Sequence, residues 1–490
     1  MLALFAWPGI VLVLLSRYSP QVGLCAAVIG GYLLLPEQTS TNLPMLPRFD
    51  KNSVPIFAVA LVLLLYHRKV DAATFVGNQK LPGFLPRNWL MIVLIALMCV
   101  ATFLTIFANG DRLVYGSLVL RPLRFYDGAT GLMFAFVEIL PLLLARKYLA
   151  SPDAHKVLLL ALCISAFIYA FPALYEVRMS PQLHRDVYGF RATSWLMSLR
   201  DNGFRPVVFL NHGLWLGIFL SCGVLAAFAC SRVFPRRRVV FLGIGGVLLI
   251  TLSVSKTFGA FSIMLLLLPV VLFLSMRLQL IVAAAVAGTI LVYPLLRGAD
   301  LVPTQPIINL VEQIDLGRAG SLQFRLINED ILLEKARQRP LTGWGGWSRA
   351  RVYDETGQDI SITDGIWVII IGERGWLGYI ARFGLLCLPT ILLALRGRRY
   401  KITPATSALA LVLAANLIDL IPNATLTPVT WLVAGALVGR LEWQHEAQDQ
   451  ETPEASVPTG ARTPSYSRTP PRPGRQTRPS GSYTRDAGGV

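Results

Sequence analysis

An all-α, polytopic integral membrane protein with a large external loop is the fold class this sequence predicts, and three observations carry it. The 490 residues are 54% hydrophobic and only 15% charged, and the mean hydropathy of +0.56 exceeds what a water-exposed surface of this size supports. Apolar runs near the length of about 20 residues needed to cross a bilayer recur from end to end. Basic residues stand mostly between those runs, as expected where short loops rich in lysine and arginine are held in the cytoplasm. Length alone would suggest roughly three soluble domains, but the apolar runs lie too close together for that.

Taken in order, the runs are 2–16, 21–36, 54–67, 88–108, 128–145, 156–174, 206–230, 238–255, 257–275, 278–296, 365–395, 405–421 and 425–441. Several are short, so about 12 or 13 transmembrane helices are expected. The first lacks a basic n-region and a small-residue cleavage site, and is expected to be a retained helix. Basic clusters at His67, Arg68 and Lys69, at Arg146 and Lys147, at Arg232 with Arg236, Arg237 and Arg238, and over 396–401 alternate as cytoplasmic connections. The connections 109–127, 175–205 and 297–363 are then external; with 13 helices the N-terminus is outside and the C-terminus inside, and with 12 both are inside. The membrane domain is expected to cover 1–444. The remainder, 445–490, is rich in Pro, Ser, Thr, Gly and Arg and is expected to be a disordered cytoplasmic tail with a weak attraction to anionic lipid.

The net charge of +17 does not imply nucleic acid, because no basic run exceeds Arg236, Arg237 and Arg238. The six cysteines sit in or at the ends of apolar segments without a CxxC pair, which argues against disulfides and zinc. There is no Walker lysine, cofactor fingerprint or metal-spaced histidine set, so neither cofactor nor metal is expected.

Two external loops carry the residues that suggest chemistry. The 175–205 loop holds Arg178, Arg185, Arg191, Arg200 and Arg205 against Glu176, Asp186 and Asp201. Arginines held outside against the charge rule suit an anionic substrate, since guanidinium forks bind phosphate bidentately; snorkelling to external headgroups is the alternative. The 297–363 loop is longer than a connection requires. Within it, 321–338 reads as an amphipathic helix with Leu322, Leu326, Leu333 and Ala336 on one face and Arg325, Glu329 and Lys335 on others, ended by Pro340. Gly343, Gly345 and Gly346, interleaved with Trp344 and Trp347, then form a tight turn whose tryptophans serve either as sugar platforms or as interfacial anchors.

Arg325, Leu326, Ile327 and Asn328, then the run Arg339, Pro340, Leu341, Thr342, Gly343, Trp344, Gly345 and Gly346, resemble the external-loop signature of the O-antigen ligase/polymerase family. That signature is an arginine opening a helix, followed by Pro-Leu and Gly-x-Gly. Downstream, Asp364 at the mouth of a helix and the step from Glu373 to Gly378 look similar to the polar residue and acid-glycine step of such proteins. So do Arg205 and Pro206 with Asn211, His212 and Gly213, and the stretch Ser253, Val254, Ser255 and Lys256. By motif the resemblance covers about residues 200–395. The ligase branch usually has histidine where Asp364 stands and arginine where Lys256 stands, so the resemblance favours polymerase over ligase.

The resemblance implies a membrane glycosyltransferase of the bacterial inner membrane, facing the periplasm. It would take a glycan on a polyprenyl pyrophosphate as donor and transfer it to an acceptor hydroxyl. Chain-length regulator and export proteins would be its partners. Arg191, Arg205, Lys256 and Arg325 would hold the pyrophosphate and stabilise its departure. Asp364, Glu373 or His212 would act as general base, and Trp344 and Trp347 would bind sugar. Helix capping by Asp364, an ion pair of Glu373 with Arg374 and a structural hydrogen bond of His212 are the non-catalytic alternatives. Glu138 and Asp419, polar groups in apolar runs, suggest either function or pairing with a neighbouring cation. Asn423, Ala424 and Thr425 fit a glycosylation sequon. The rival class, a transporter of lipid-linked sugars, should show paired broken helices and charges at the bilayer midplane.

Overall fold

The computed structural model describes residues 1–42, 48–65, 80–200, 203–313, 315–397 and 402–451, with backbone only for 444–451. In chain order the elements are α1 (Leu2–Arg17), α2 (Pro20–Leu34), α3 (Ser53–Leu65), α4 (Trp89–Phe107), the hairpin β1 (Leu113–Tyr115) and β2 (Leu118–Leu120), α5 (Phe125–Tyr148) and α6 (Pro152–Met179). Two short helices, α7 (Leu183–Tyr188) and α8 (Trp195–Ser198), and a second small hairpin, β3 (Leu199–Arg200) with β4 (Gly203–Phe204), precede α9 (Gly213–Val233). The rest is α10 (Arg238–Val254), α11 (Phe258–Phe273), α12 (Met276–Gly298), α13 (Thr304–Glu312), α14 (Leu316–Arg337), α15 (Ile366–Leu395), α16 (Pro404–Asp419) and α17 (Pro428–Glu451).

Each of the apolar runs read in the sequence is a helix, and the chain is an all-α polytopic membrane protein. Among the described residues seven helices are long and apolar enough to cross a membrane: α4, α5, α6, α9, α10 taken with the helical turn before it (Pro235–Val254), α12 and α15. Shorter apolar helices, α1, α2, α3, α11 and α16, pack beside them. The boundary expected at 444 falls inside α17, which runs on to Glu451; the compact unit extends to Ala447. The expected disordered tail lies outside the described residues beyond 451.

Many helices begin where a hydroxyl or amide side chain can take an orphan backbone N–H. Ser19 caps α2, Asn88 α4, Ser151 α6, Ser275 α12 and Thr403 α16, with proline at the first turn of α2, α6 and α16. The centre of the bundle is α9, of which 83% of the apolar window is buried, against 28% for the peripheral α10. Close approach there uses small residues: a Cβ on Gly223 would stand 2.3 Å from that of Ala166 on α6.

The helices alternate so that two ends differ in chemistry. One is basic: Arg146 forms a buried ion pair with Glu442, Lys147 lies 4.0 Å from the ring centroid of Phe84, and Arg232 donates to the carbonyl of Leu274 at 3.0 Å. The expected clusters at 67–69 and 398–401 lie outside the described residues. The opposite end gathers the 109–127, 175–205 and 297–363 connections and the hairpin between α10 and α11.

Candidate active site

Backbone geometry in α15 organises the loop end. The helix is interrupted at Gly375, whose φ of 64° and ψ of −168° are not helical. A break at membrane depth frees carbonyls and amides that must find partners inside the protein. Residues 340–345 supply them. The amides of Trp344 and Gly345 donate to the carbonyls of Gly372 and Glu373 at 2.8 and 2.9 Å, and the amide of Trp376 donates to the carbonyl of Pro340 at 2.8 Å. This approach demands glycine: a Cβ on Gly343 would stand 2.5 Å from the backbone nitrogen of Arg374, and one on Gly375 would stand 2.3 Å from the backbone of Leu341.

The tryptophans therefore divide. Trp344 is 7% exposed, donates Nε1–H to the carbonyl of Lys335 and lies under the Lys335 and Arg339 cations. It packs the insertion into place and is enclosed where a sugar platform would be open. Trp347 is 66% exposed, with Arg121 over its ring at 4.9 Å. The buried guanidinium of Arg349 and that of Arg339 meet Asp111, at 3.1 and 2.9 Å. Burial works to raise the Asp111 pKa, but these bonds and charges hold it below its ordinary range.

The amphipathic helix of the loop is α14, which starts earlier than the pattern suggested because Asp315 accepts from the amide of Arg318 at 3.1 Å. Arg325 thus stands inside the helix and does not open it. Nor is Glu329 on a polar face. It is buried with Leu332, Leu333 and Ala336, because the face that carries it packs beneath the ends of α12 and α15. Its Oε2 and the Trp367 Nε1 are buried without a hydrogen-bond partner, and the Arg297 Nε, also unpartnered, lies 3.8 Å from that oxygen. Burial outweighs the pull of Arg297 and pushes the Glu329 pKa up to about 7.

Arg325 reaches from α14 to the mouth of α15. Its Nε is 3.3 Å from Asp364 Oδ2, and Nη1 donates to the carbonyl of Pro422 at 3.2 Å and to Asn423 Oδ1 at 3.3 Å. Both partners of the ion pair are about one-third exposed. Asp364 is not the helix cap: Gly365 holds that position without a side-chain cap. Asn423 in turn donates Nδ2–H to Asp419 Oδ1 at 2.8 Å and is buried. The sequon nitrogen is therefore already engaged and enclosed, which opposes glycosylation. Asp419 also accepts from Thr425.

The 175–205 loop is tied to the same end by Glu176, which accepts from the amides of Leu183, Val207 and Val208 at 3.0, 2.8 and 2.7 Å. Glu176 orders the loop backbone and does not neutralise its arginines. Lys256 adopts a φ of 54° at the α10–α11 hairpin and donates to the Arg200 carbonyl at 2.8 Å. Arg205 Nη2 donates to the Lys256 carbonyl at 3.3 Å, while its buried Nε has no partner. Burial, then the charges of Arg200 and Arg325, lowers the Arg205 pKa to about 10. His212 caps α9: its Nδ1 accepts from the Leu214 amide at 3.2 Å, which leaves the ring proton on Nε2. Burial first, then Arg205, Arg200 and Arg325, brings the His212 pKa down to about 4. The ring is neutral at pH 7 and offers a donor, not a base.

Arg205, His212, Lys256, Arg325 and Asp364 are thus gathered at one place, joined by Arg200, Arg297, Glu329 and Asn423. Glu373 lies apart, beside the α15 break. It has no ion pair with Arg374, and its nearest charges are Arg374, Arg382 and Arg351. Arg191 is exposed and makes no hydrogen bond or ion pair among the described residues. Glu138 pairs with Arg382 across α5 and α15 at 3.0 Å. No group of side chains able to hold a metal ion occurs among the described residues. No family model matches the chain, and a search of curated proteins returns no match.

Proposed function

We propose that the protein is a membrane glycan polymerase that elongates polyprenyl-pyrophosphate-linked oligosaccharide at the loop end of the bundle, which the positive-inside rule sets on the external side. The observation that carries the reading is the convergence of Arg200, Arg205, Lys256 and Arg325 from separate elements, linked by the bonds of Lys256 and by mutual electrostatic influence. Like charges gathered without an equal number of carboxylates suit an anion of high charge. Guanidinium groups stabilise a departing pyrophosphate bidentately and stay protonated.

In this reading the glycosidic C–O bond to the pyrophosphate breaks as an acceptor hydroxyl attacks the anomeric carbon. The acceptor proton passes to Asp364 and the bonding electron pair leaves on the pyrophosphate. The Asp364 carboxylate lies beside the Arg325 cation, so one helix mouth holds both the anion-binding and the proton-accepting groups. His212, neutral with Nε2–H free, donates a hydrogen bond to a phosphate or sugar oxygen. Transfer to a lipid core, the ligase reaction, would use the same groups with another acceptor.

The interruption of α15 and the Glu138–Arg382 pair are features that a transporter would also carry. However, the break is filled by backbone hydrogen bonds from residues 340–345, which opposes the movement transport requires. Deletion of the gene followed by gel analysis of the cell's glycans separates the readings. Single-repeat products indicate a lost polymerase, full-length chains stranded on the carrier a lost ligase, and unpolymerised carrier-linked repeats trapped on the cytoplasmic side a lost transporter.

A further inference from the structure

We propose that the seam between α4 and α5 is a second lipid-phosphate site, in which one isoprenoid chain lies in an apolar groove and its phosphate meets the guanidinium of Arg374. The identity of the lipid rests on the polymerase reading, in which elongation brings two carrier-linked substrates to one enzyme.

Arg374 is the last residue before the α15 break. Its Nη2 lies 3.1 Å from where a Cβ on Gly131 of α5 would stand, and the Thr102 Cγ2 of α4 lies 3.0 Å from the same point. The guanidinium thus occupies the seam, and glycine at 131 leaves it the room. The Arg374 side chain makes no hydrogen bond or ion pair among the described residues, and Glu373 and Glu138 act on it only through space. Arg382, two turns deeper, is engaged by Glu138. A guanidinium carries five donors in a fixed fork, and an ionisable group at this depth is costly unless a partner meets it.

Beside the Glu138–Arg382 pair, the seam below the guanidinium opens into a groove lined by apolar side chains. A cavity of about 600 Å³ runs along the seam, lined among others by Met98 and Cys99 of α4, by Leu132, Met133 and Leu143 of α5, and by Phe57 of α3. Cys99 and Leu132 stand within one helical turn of Thr102 and Gly131. From Leu132 to Leu143 the groove follows α5 for about 16 Å, at 1.5 Å per residue. A part-buried guanidinium without a hydrogen-bond or ion-pair partner among the described residues, at the outer end of such a groove, fits an amphiphile with an anionic head and a hydrocarbon tail. The bidentate match to phosphate oxygens selects the head. The eight residues from Ile366 to Arg374 place this cation about 12 Å along α15 from its mouth, so it is separate from the pyrophosphate site at Arg325.

The test uses the full chain in phosphatidylcholine nanodiscs with a polyprenyl phosphate carrying a diazirine on its chain, the crosslinked peptides being mapped by mass spectrometry. Crosslinks are expected in Trp89–Phe107 and Phe125–Tyr148. Arg374→Gln should reduce them about tenfold, the effect of losing one charge-assisted hydrogen-bonded pair. Met133→Trp, which fills the groove, should do the same at an unchanged melting temperature. Unlabelled polyprenyl phosphate should compete, and phosphatidylglycerol in equal amount should not.

Crosslinks confined to other helices, or labelling unaffected by both variants, would overturn the site. Equal competition by phosphatidylglycerol would do so too, by showing an ordinary lipid furrow. Arg325→Ala should leave the crosslink intact. Crosslinking at the seam in a protein that elongates no glycan overturns the polymerase reading and supports the site; normal elongation without the crosslink overturns the site alone.

Discussion

Glu329 and Asp364 lie near one another at the mouth of α15 under different constraints. Asp364 pairs with Arg325 and is partly open, whereas Glu329 is enclosed and has its pKa raised to about 7. As proton acceptor, Asp364 should be intolerant of amide: Asp364→Asn is expected to lower elongation by about 10²-fold or more with carrier binding retained, measured with purified protein and lipid-linked repeats. Because Asp364 does not cap α15, near-normal activity in that variant cannot be ascribed to a preserved cap and would remove it from the mechanism. Glu329 sets a pH dependence of calculable sign. Below about pH 7 it is protonated and neutral, its negative charge no longer offsets that of Arg297 beside the site, and the rate falls. Glu329→Gln should hold the low-pH rate throughout, erasing the inflection. Among the arginines, Arg205→Ala and Arg325→Ala should abolish elongation, with lysine rescuing only in part. Arg191→Ala, which removes a side chain with no hydrogen bond or ion pair among the described residues, should cost at most a few-fold in the same assay.

Helices α14 and α15 and the segment between them act as one unit. The insertion of residues 340–345 into the break of α15 fixes the mouth that presents Asp364, so a change in the insertion should be felt at the site without touching it. Gly343 has a φ of 65° and Gly375 one of 64°, and each is closed to a Cβ by backbone atoms. Alanine at either should cost on the order of 1–3 kcal/mol for the dihedral alone, more with the clash, and lower both the melting temperature in detergent and the activity. Gly346 has nothing within 4 Å of its would-be Cβ, so Gly346→Ala should behave as wild type. Equal melting temperatures for Gly343→Ala and Gly346→Ala would show that the insertion is not held as described.

Across the whole molecule, the alternation of helices sets the 175–205 and 297–363 connections at one end and the Arg146, Lys147 and Arg232 clusters at the other. By the positive-inside rule, the orientation we propose sets the first end outside. Single cysteines at Ser180 and Gln358 should both react with an impermeant thiol reagent in intact cells whose outer barrier is opened. Reaction of either only after the inner membrane is permeabilised would reverse the orientation and with it the proposed chemistry. The native cysteines leave this assay a low background: five are buried, and Cys99 is only partly accessible within a membrane helix.

The order and number of the apolar helices were legible in the sequence because spanning a bilayer imposes a length and a composition on each segment separately. The same holds for the ends at which charge collects; the family resemblance joined Arg205, His212, Lys256, Arg325 and Asp364 with Arg191 and Glu373, and the structure gathers the first five and leaves Glu373 apart. Tertiary structure alone decided the burial of Glu329. The helical pattern of α14 gives the angle of each side chain about its own axis, and nothing in that angle tells which face meets α12 and α15. It alone showed Trp344 and the glycines around it filling a broken helix, since a backbone gap about thirty residues away in sequence has no local signature. That the Arg374 guanidinium has no hydrogen-bond or ion-pair partner among the described residues became visible the same way: whether a charge is met depends on what other helices bring to it.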